Sequence, residues 1–375
     1  MRLLICAGGT GGGVYPAAAV LQAASASNTL PLETLWVGGQ GGMEADLVAR
    51  LGVTYQSIPA AGVHGVSLLR LPGNLWKLFQ GWLASRRILR EFKPDVLLLT
   101  GGYLAVPMAI AARRVPTLLY VPDIEPGLAL KTLARFADRI AVTADDSRAF
   151  FQSSAPIVET GYPTRPELAA WDRAAALQHL GLSTDSPVVL VFGGSKGARS
   201  INRALLAILE DLLDRVQVVH ISGSLDWEEV QAARQNLPAH LQPRYHAFPY
   251  LHEDMGAALA SADLVVSRAG ASSLGEYPLF GLPAILVPYP YAWRYQKVNA
   301  EYLASRGAAL LLRDEHMPQQ LRALITQLLD DPQKLQAMRA AMRSLALPNP
   351  AQKISSLLSE LAGEKPISGG EHGRS

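Results

Sequence analysis

Two short stretches have residue types suited to holding an anion. "GGTGG" (Gly8 to Gly12) follows the apolar run Leu3-Leu4-Ile5, and "GGSKG" (Gly193 to Gly197) follows Pro187-Val188-Val189-Leu190-Val191-Phe192. A glycine-rich turn between a strand and a helix leaves backbone N–H groups unshielded where the helix dipole favours negative charge, and phosphate is the usual guest. A tight turn that needs positive φ explains one such loop nearly as well. Two matched loops, each at the head of its half of the chain, weaken that explanation.

The phosphate compound is narrowed by what is missing. Neither loop closes with Gly-Lys-Ser/Thr, so the Walker A pattern fails. The dinucleotide fingerprint fails as well, because Gly11 is followed by Gly12, Gly13 and Val14, and the second strand "TLWVGG" ends without an acidic residue for a ribose. Lys196 is within sequence reach of a phosphate oxygen, although a surface lysine on the next helix is the commoner case. A third glycine-rich segment, "TGGYLAVP" from Thr100, follows the strand "DVLLL". A fourth, "SRAGASSLGEYPLFGLPAILVP" from Ser267, places small residues and two hydroxyls, Ser272 and Ser273, at a helix start. Glu276 then has two readings. It caps the helix in a Ser273-x-x-Glu276 box, or its carboxylate takes two hydrogen bonds from adjacent ribose hydroxyls while the helix start faces a diphosphate.

The elements that must position these residues can be read from the chain. At 375 residues it exceeds the size at which one core keeps growing, so two domains are expected. Short apolar runs alternate with helical-period segments at 3–7, 34–38, 53–58, 95–101, 117–122 and 139–144, and again at 187–192, 217–222, 245–250, 263–267, 284–288 and 308–312. This alternation predicts parallel sheets covered by helices on both faces. The pattern pauses at the Pro-rich "TGYPTRPEL" near Gly161 and then restarts. The fold class expected is α/β, with two facing Rossmann-like domains and a central cleft.

Near the C-terminus Ile354, Leu357, Leu358 and Leu361 form one apolar helical face, followed by a polar, Gly-rich tail that reads as disordered. The predicted divisions are 1–165, 166–345, a helix at 346–362 packing back toward the first domain, and a tail at 363–375. A single cysteine, Cys6, excludes an internal disulfide framework and suits a reducing compartment. No secretory signal is read, and no stretch nears the roughly 20 apolar residues of a spanning helix. With 49% hydrophobic and 18% charged residues the composition is that of a globular protein, and a net charge of +2 gives no reason to expect nucleic-acid binding.

"AGGTGG", "MEADLV", "KPDVLLLTGGY", "GGSKGAR", "ADLVVSRAGASSLGE" and "GLPAILVP" occur in this order from residue 7 to residue 288. The chain thereby resembles the MurG-type N-acetylglucosaminyltransferases of peptidoglycan synthesis, GT-B glycosyltransferases, from about residue 3 to Leu361. The resemblance implies an inverting transfer of N-acetylglucosamine from UDP-GlcNAc to lipid-linked muramyl-pentapeptide (lipid I), giving lipid II. It also implies a peripheral enzyme on the cytoplasmic face of the cell membrane.

Residue by residue, the resemblance puts Ser195 near the nucleotide phosphates and the Leu251 backbone at the uracil. Ala271, Ser272, Ser273, Leu274 and Gly275 become the diphosphate helix start, with Glu276 on the ribose. Gln296 reads sugar hydroxyls with Asn299 nearby, Arg165 is the interdomain arginine, and Thr10, Gly11 and Gly12 face the acceptor diphosphate and transferred sugar.

The departures from the family pattern fall on the acceptor side. Gly13 stands where the family has a histidine, Asp123 where it has an asparagine, and Ala105 and Val106 where it usually shows serine and glycine. Asp123 is the candidate replacement base, since partial burial raises a carboxyl toward the useful range. The competing reading makes it an N-cap, because "DIEPGLALK" looks like a cap followed by an acidic first turn. No Asp-x-Asp and no spaced histidine cluster are present, so neither a metal nor a cofactor is expected.

Residues 68–93 combine Trp76, Phe79, Trp82 and Leu83 with Arg70, Lys77, Arg86, Arg87, Arg90 and Lys93 against the single acid Glu91. Such a helix fits an anionic membrane surface, or buries its aromatics in the first core. Beside the lipid I reaction stand three other readings: a UDP-sugar transferase with another acceptor, a nucleotide-sugar-binding pseudo-enzyme, and a UDP-sugar epimerase.

Overall fold

The computed structural model describes residues 1–9, 11–27, 31–42, 44–62, 66–67, 70–194, 197–290 and 295–363. Two compact units emerge. Residues 1–122, 126–163 and the chain from Asn349 form the first, and residues 123–125 and 164–348 form the second.

The first unit is built on seven parallel strands: β1 (Arg2–Cys6), β2 (Glu33–Gly39), β3 (Thr54–Ile58), β4 (Val96–Leu99), β5 (Thr117–Val121), β6 (Arg139–Val142) and β7 (Ile157–Glu159). They lie in the order β3-β2-β1-β4-β5-β6-β7. Strands β1, β4 and β5 are nearly continuous apolar runs because helices cover both sheet faces, leaving no position for a solvated side chain. Leu4, Cys6, Leu97, Leu99 and Leu119 point to one face, toward Met108 and Leu133. Leu3, Ile5, Trp36, Leu98 and Tyr120 point to the other, where Val14, Ala17 and Val20 meet Ile354, Leu358 and Leu361. The last three lie on the helix Pro350–Gly363, whose apolar stripe packs beside the helix Gly11–Ala26. Strand β7 is an addition to the sequence reading. Three partly exposed residues at a sheet edge carry too little apolar pattern to announce a strand.

The second unit has six parallel strands: β8 (Val188–Phe192), β9 (Gln217–Ile221), β10 (Tyr245–Phe248), β11 (Leu264–Ser267), β12 (Ala284–Leu286) and β13 (Ala309–Leu311). Their order is β10-β9-β8-β11-β12-β13. In both sheets the order reverses between the unit's first strand and a later one, β1 beside β4 and β8 beside β11, with Cys6 level with Leu99 and Phe192 level with Ser267. Ligands of open α/β sheets bind beyond the carboxyl ends of the strands at such a reversal. All four glycine-rich segments of the sequence follow these four strands, so each unit brings two of them side by side.

Candidate functional site

In the second unit, β8 runs into Gly193 and Gly194, and the helix Arg199–Leu206 begins after the turn. Ser195 and Lys196 lie outside the described residues. Gly197 has φ of 74°, and a Cβ there would stand 2.2 Å from the Ser222 carbonyl oxygen, so this turn requires glycine on two counts. Next to it, β11 leads through Arg268, Ala269, Gly270 and Ala271 to the helix Ser273–Phe280.

The first turn of that helix is tight. The N–H groups of Ser273, Leu274 and Gly275 reach back three residues to the carbonyls of Gly270, Ala271 and Ser272 at 3.0 to 3.1 Å. The Ser273 hydroxyl donates to the Gly270 carbonyl at 2.6 Å. Ser273 is therefore already inside the helix and does not cap it, which corrects the capping-box reading of Glu276. The cap position belongs to Ser272, and the Glu276 carboxyl takes a hydrogen bond from the Ser272 side chain instead. Burial pushes the Glu276 carboxyl up to about 7, opposed by the Arg165 charge and the Ser272 hydrogen bond. Arg165 sits just ahead of the short 3-10 turn Pro166–Ala170. A carboxylate near a helix start, freed from capping and balanced near neutrality, is chemically available to accept hydroxyl donors.

Two further candidates lie at the same end of the sheet. Leu251 is half-buried just past β10. Gln296, in the first turn of the helix Tyr295–Ser305, accepts the Tyr289 N–H on its Oε1 at 2.9 Å. Asn299, one turn further along, is fully buried and makes three hydrogen bonds. Its Nδ2 donates to Asp123 Oδ1 at 2.8 Å and to the Ala269 carbonyl at 3.2 Å, and its Oδ1 accepts the Ile124 N–H at 3.0 Å. Asp123 thereby joins the β11 loop of the second unit. It is no helix cap: the next helix starts at Leu128 with Gly127 before it. Burial raises the Asp123 carboxyl above the usual range, and the Asn299 hydrogen bond partly opposes this.

In the first unit, the loop after β1 leads into the helix Gly11–Ala26 with Gly11 and Gly12 half-buried in its first turn; Thr10 lies outside the described residues. The carboxylate of Glu44, itself fully buried, accepts the N–H groups of Gly39 at 2.6 Å and Gly9 at 3.3 Å. A Cβ at Gly8 would come within 2.4 Å of Glu44 Oε1. Any side chain at Gly8 would have to displace this internal carboxylate from its bonds. Glu44 organises this loop, a role that the motif pattern of the sequence does not reveal. Its signal was an acid directly behind the glycine-rich end of β2. Gly13 lies against the residue that follows β4, where a Cβ would meet the Thr100 carbonyl oxygen at 3.1 Å.

Ala105 is buried in the core of this unit. Val106 helps line an apolar groove of about 220 Å³ with Leu78, Phe79, Trp82, Pro107 and Ile110. The helix Leu71–Phe92 presents Trp76 at 60% exposure, Phe79 at 46% and Leu83 at 48%. Its buried residues are Gly81, Ser85 and Ile88, and Trp82 is half-buried, so the reading that buries these aromatics in the core fails for Trp76 and Phe79. Gly81 and Ser85 let the helix approach the core closely, and Ile88 anchors it there. Arg86 stacks on Trp82 and Arg87 pairs with Glu91, while Leu68 and Leu69 lie outside the described residues. Among the described residues no helix is long and apolar enough to cross a membrane.

The comparisons with known proteins agree over the whole length. Residues 3–142 match the glycosyltransferase family 28 N-terminal domain and residues 188–356 the glycosyltransferase family 28 C-terminal domain. The chain is 41% identical to the "UDP-N-acetylglucosamine--N-acetylmuramyl-(pentapeptide) pyrophosphoryl-undecaprenol N-acetylglucosamine transferase" of Roseiflexus sp. (strain RS-1), covering 96% of this chain and 95% of that one. The enzyme of the same name from Desulforudis audaxviator (strain MP104C) is 38% identical, with 97% and 99% covered. Among solved structures, Acinetobacter baumannii MurG aligns with a TM-score of 0.74 at 28% identity, over 96% of this chain and 99% of that chain. Two parallel-sheet units, the paired glycine loops at their switch points and this full-length likeness lead to one conclusion: the chain belongs to the MurG family of N-acetylglucosaminyltransferases, with the GT-B fold.

Proposed function

We propose that this chain moves N-acetylglucosamine from UDP-GlcNAc to the 4-hydroxyl of undecaprenyl-pyrophosphoryl-N-acetylmuramyl-pentapeptide, producing lipid II and UDP with inversion at the anomeric carbon. The observation that carries this reading is the likeness, over nearly the full chain, to transferases named for these substrates. In the step itself, the acceptor oxygen bonds to the anomeric carbon, the bond from that carbon to the UDP oxygen breaks, and the acceptor proton leaves to a base.

The donor is read onto the second unit. Glu276 takes the ribose hydroxyls, the segment from Ala271 to Gly275 faces the diphosphate, Ser195 approaches the phosphates, Leu251 offers its backbone to the uracil, and Gln296 reads the sugar. Oriented backbone dipoles and the Arg165 charge suit a departing diphosphate. Thr10, Gly11 and Gly12 are read as the acceptor side. Asp123 is the proposed base in place of the family histidine, supported by its raised carboxyl and by the Asn299 amide that holds it. The exposed aromatics and bases of the helix Leu71–Phe92 support a peripheral contact with an anionic membrane on its cytoplasmic face, where a lipid-linked acceptor resides.

The test is transfer of radiolabelled N-acetylglucosamine from UDP to a lipid I analogue by the purified protein, with Asp123→Ala alongside. Product from the wild type and a loss of 100-fold or more in the variant, about the worth of a general base, is the expected result. Wild-type protein that binds UDP-GlcNAc without transfer overturns the assignment of the acceptor.

A further inference from the structure

The residues read onto the donor hang on separate loops of the second unit: the turn after β8, the helix start after β11, and the segment after β12 that leads to Gln296. One buried guanidinium joins them. Arg268, 8% exposed, directly precedes the small-residue segment Ala269–Ala271 at the end of β11. Its Nη2 donates to the Ser200 hydroxyl at 2.8 Å, and Ser200 lies in the first turn of the helix that follows the β8 glycine loop. Its Nη1 donates to the Val287 and Pro288 carbonyls at 3.1 and 3.4 Å and to Asp314 Oδ1. The Ser200 hydroxyl in turn donates to the same Asp314 oxygen at 2.9 Å. The guanidinium carbon also lies 5.2 Å from the centre of the Tyr289 ring, and the Tyr289 N–H is the one that Gln296 accepts.

Asp314 balances the charge, and Nη1 and Nη2 each donate to protein oxygens. Arg268 therefore holds other residues in place. A planar fork that meets two carbonyls, a carboxylate and a hydroxyl from three directions is something a lysine ammonium on a flexible stem does not reproduce. We propose that Arg268 is the positioning residue of the donor site, setting the helix after β8, the β11 helix start and the hydrogen-bonded pair Tyr289 and Gln296 in register. This rests on the donor-site reading given above.

The distinguishing expectation is selectivity for the donor. Arg268→Lys should raise the KM for UDP-GlcNAc on the order of tenfold, as losing bonds to charged groups does, with the KM for lipid I within about twofold of wild type. Ser200→Ala, which removes one arm of the fork from the partly exposed side, should raise the donor KM about threefold. Through the Tyr289–Gln296 arm, Arg268→Lys should also weaken binding of UDP-GlcNAc more than binding of UDP. Glu276→Gln serves as the control for the site itself. A raised donor KM in Glu276→Gln, with wild-type donor KM in both Arg268→Lys and Ser200→Ala, overturns the positioning role alone. If Glu276→Gln also leaves the donor KM unchanged, the donor-site reading fails. Equal rises in donor and acceptor KM in Arg268→Lys show general loosening and likewise overturn the proposal. Should Arg268→Lys not fold, Ser200→Ala decides.

Discussion

Asn299 grips Asp123 from both sides of its peptide: its amide nitrogen is 2.8 Å from the Asp123 carboxylate, and its amide oxygen takes the N–H of Ile124 at 3.0 Å. The two residues are 176 positions apart in sequence. Removing the amide takes away a hydrogen bond to the charged carboxylate, so in Asn299→Ala the Asp123 carboxyl should rise further. The acid limb of the kcat against pH profile should then move to higher pH, and folding should lose about 1–3 kcal/mol from the unpaired Ile124 N–H. A destabilised variant whose acid limb stays where it was would remove Asp123 from the role of base.

On the proposed donor-site reading, Glu276 should give UDP-GlcNAc binding its own pH dependence. Ribose hydroxyls donate to a carboxylate better than to a carboxylic acid, and burial holds this carboxyl up at about 7. Affinity for UDP-GlcNAc should therefore fall as pH drops through 7, and titration calorimetry at pH 6 and pH 8 should show it, with Glu276→Gln flattening the difference. For folding the sign is opposite. The native state binds a proton more tightly than the unfolded chain, so this residue's contribution to stability declines as pH rises from about 4.5 to about 7 and is level beyond.

His220 should dominate acid destabilisation of the second unit. It is fully buried, its Nδ1 2.7 Å from the Tyr245 hydroxyl and its Nε2 3.0 Å from Asn202 Oδ1. Because Asn202 Nδ2 already donates to Ser222 and Asp226, its Oδ1 must accept, which puts the imidazole proton on Nε2 and leaves Nδ1 to accept from tyrosine. Burial lowers this histidine to about 3, so the unfolded chain binds the extra proton between about 6.5 and 3. Stability should drop as pH falls through that window, by up to about 1.4 kcal/mol per pH unit. Calorimetric unfolding of His220→Gln, less stable at pH 8 but with a shallower acid slope, checks this.

Membrane contact should need both halves of the exposed face of the helix Leu71–Phe92. Vesicles containing anionic lipid should retain the protein, Trp76→Ser with Trp82→Ser should weaken retention, and 1 M salt should weaken it further by shortening the screening length to about 3 Å. Sedimentation that ignores both the tryptophans and the salt would refute the contact.

Much of the framework was legible in the chain alone, for local reasons. Runs such as Val188–Phe192 and Val96–Leu99 must be central strands because every position is apolar, and a strand with helices on both faces has no other use for that pattern. Glycines after such strands, and the Ile354, Leu358 and Leu361 stripe, followed from the same short-range geometry.

The site was decided by contacts between residues far apart in sequence, which no local pattern records. "DIEPGL" reads as a helix cap until the helix is seen to start at Leu128, leaving Asp123 to a partner in the second unit. "SSLGE" reads as a capping box until Ser273 proves to be inside the helix. Glu44 and Arg268 look like ordinary surface charges in the sequence, and only parallel pairing of β1 with β2, and of β11 with β8 and β12, surrounds them with the backbone groups they hold. Strand composition is set by burial of each residue's own side chain, whereas a functional constellation is set by sheet order, and sheet order exists only in the folded chain.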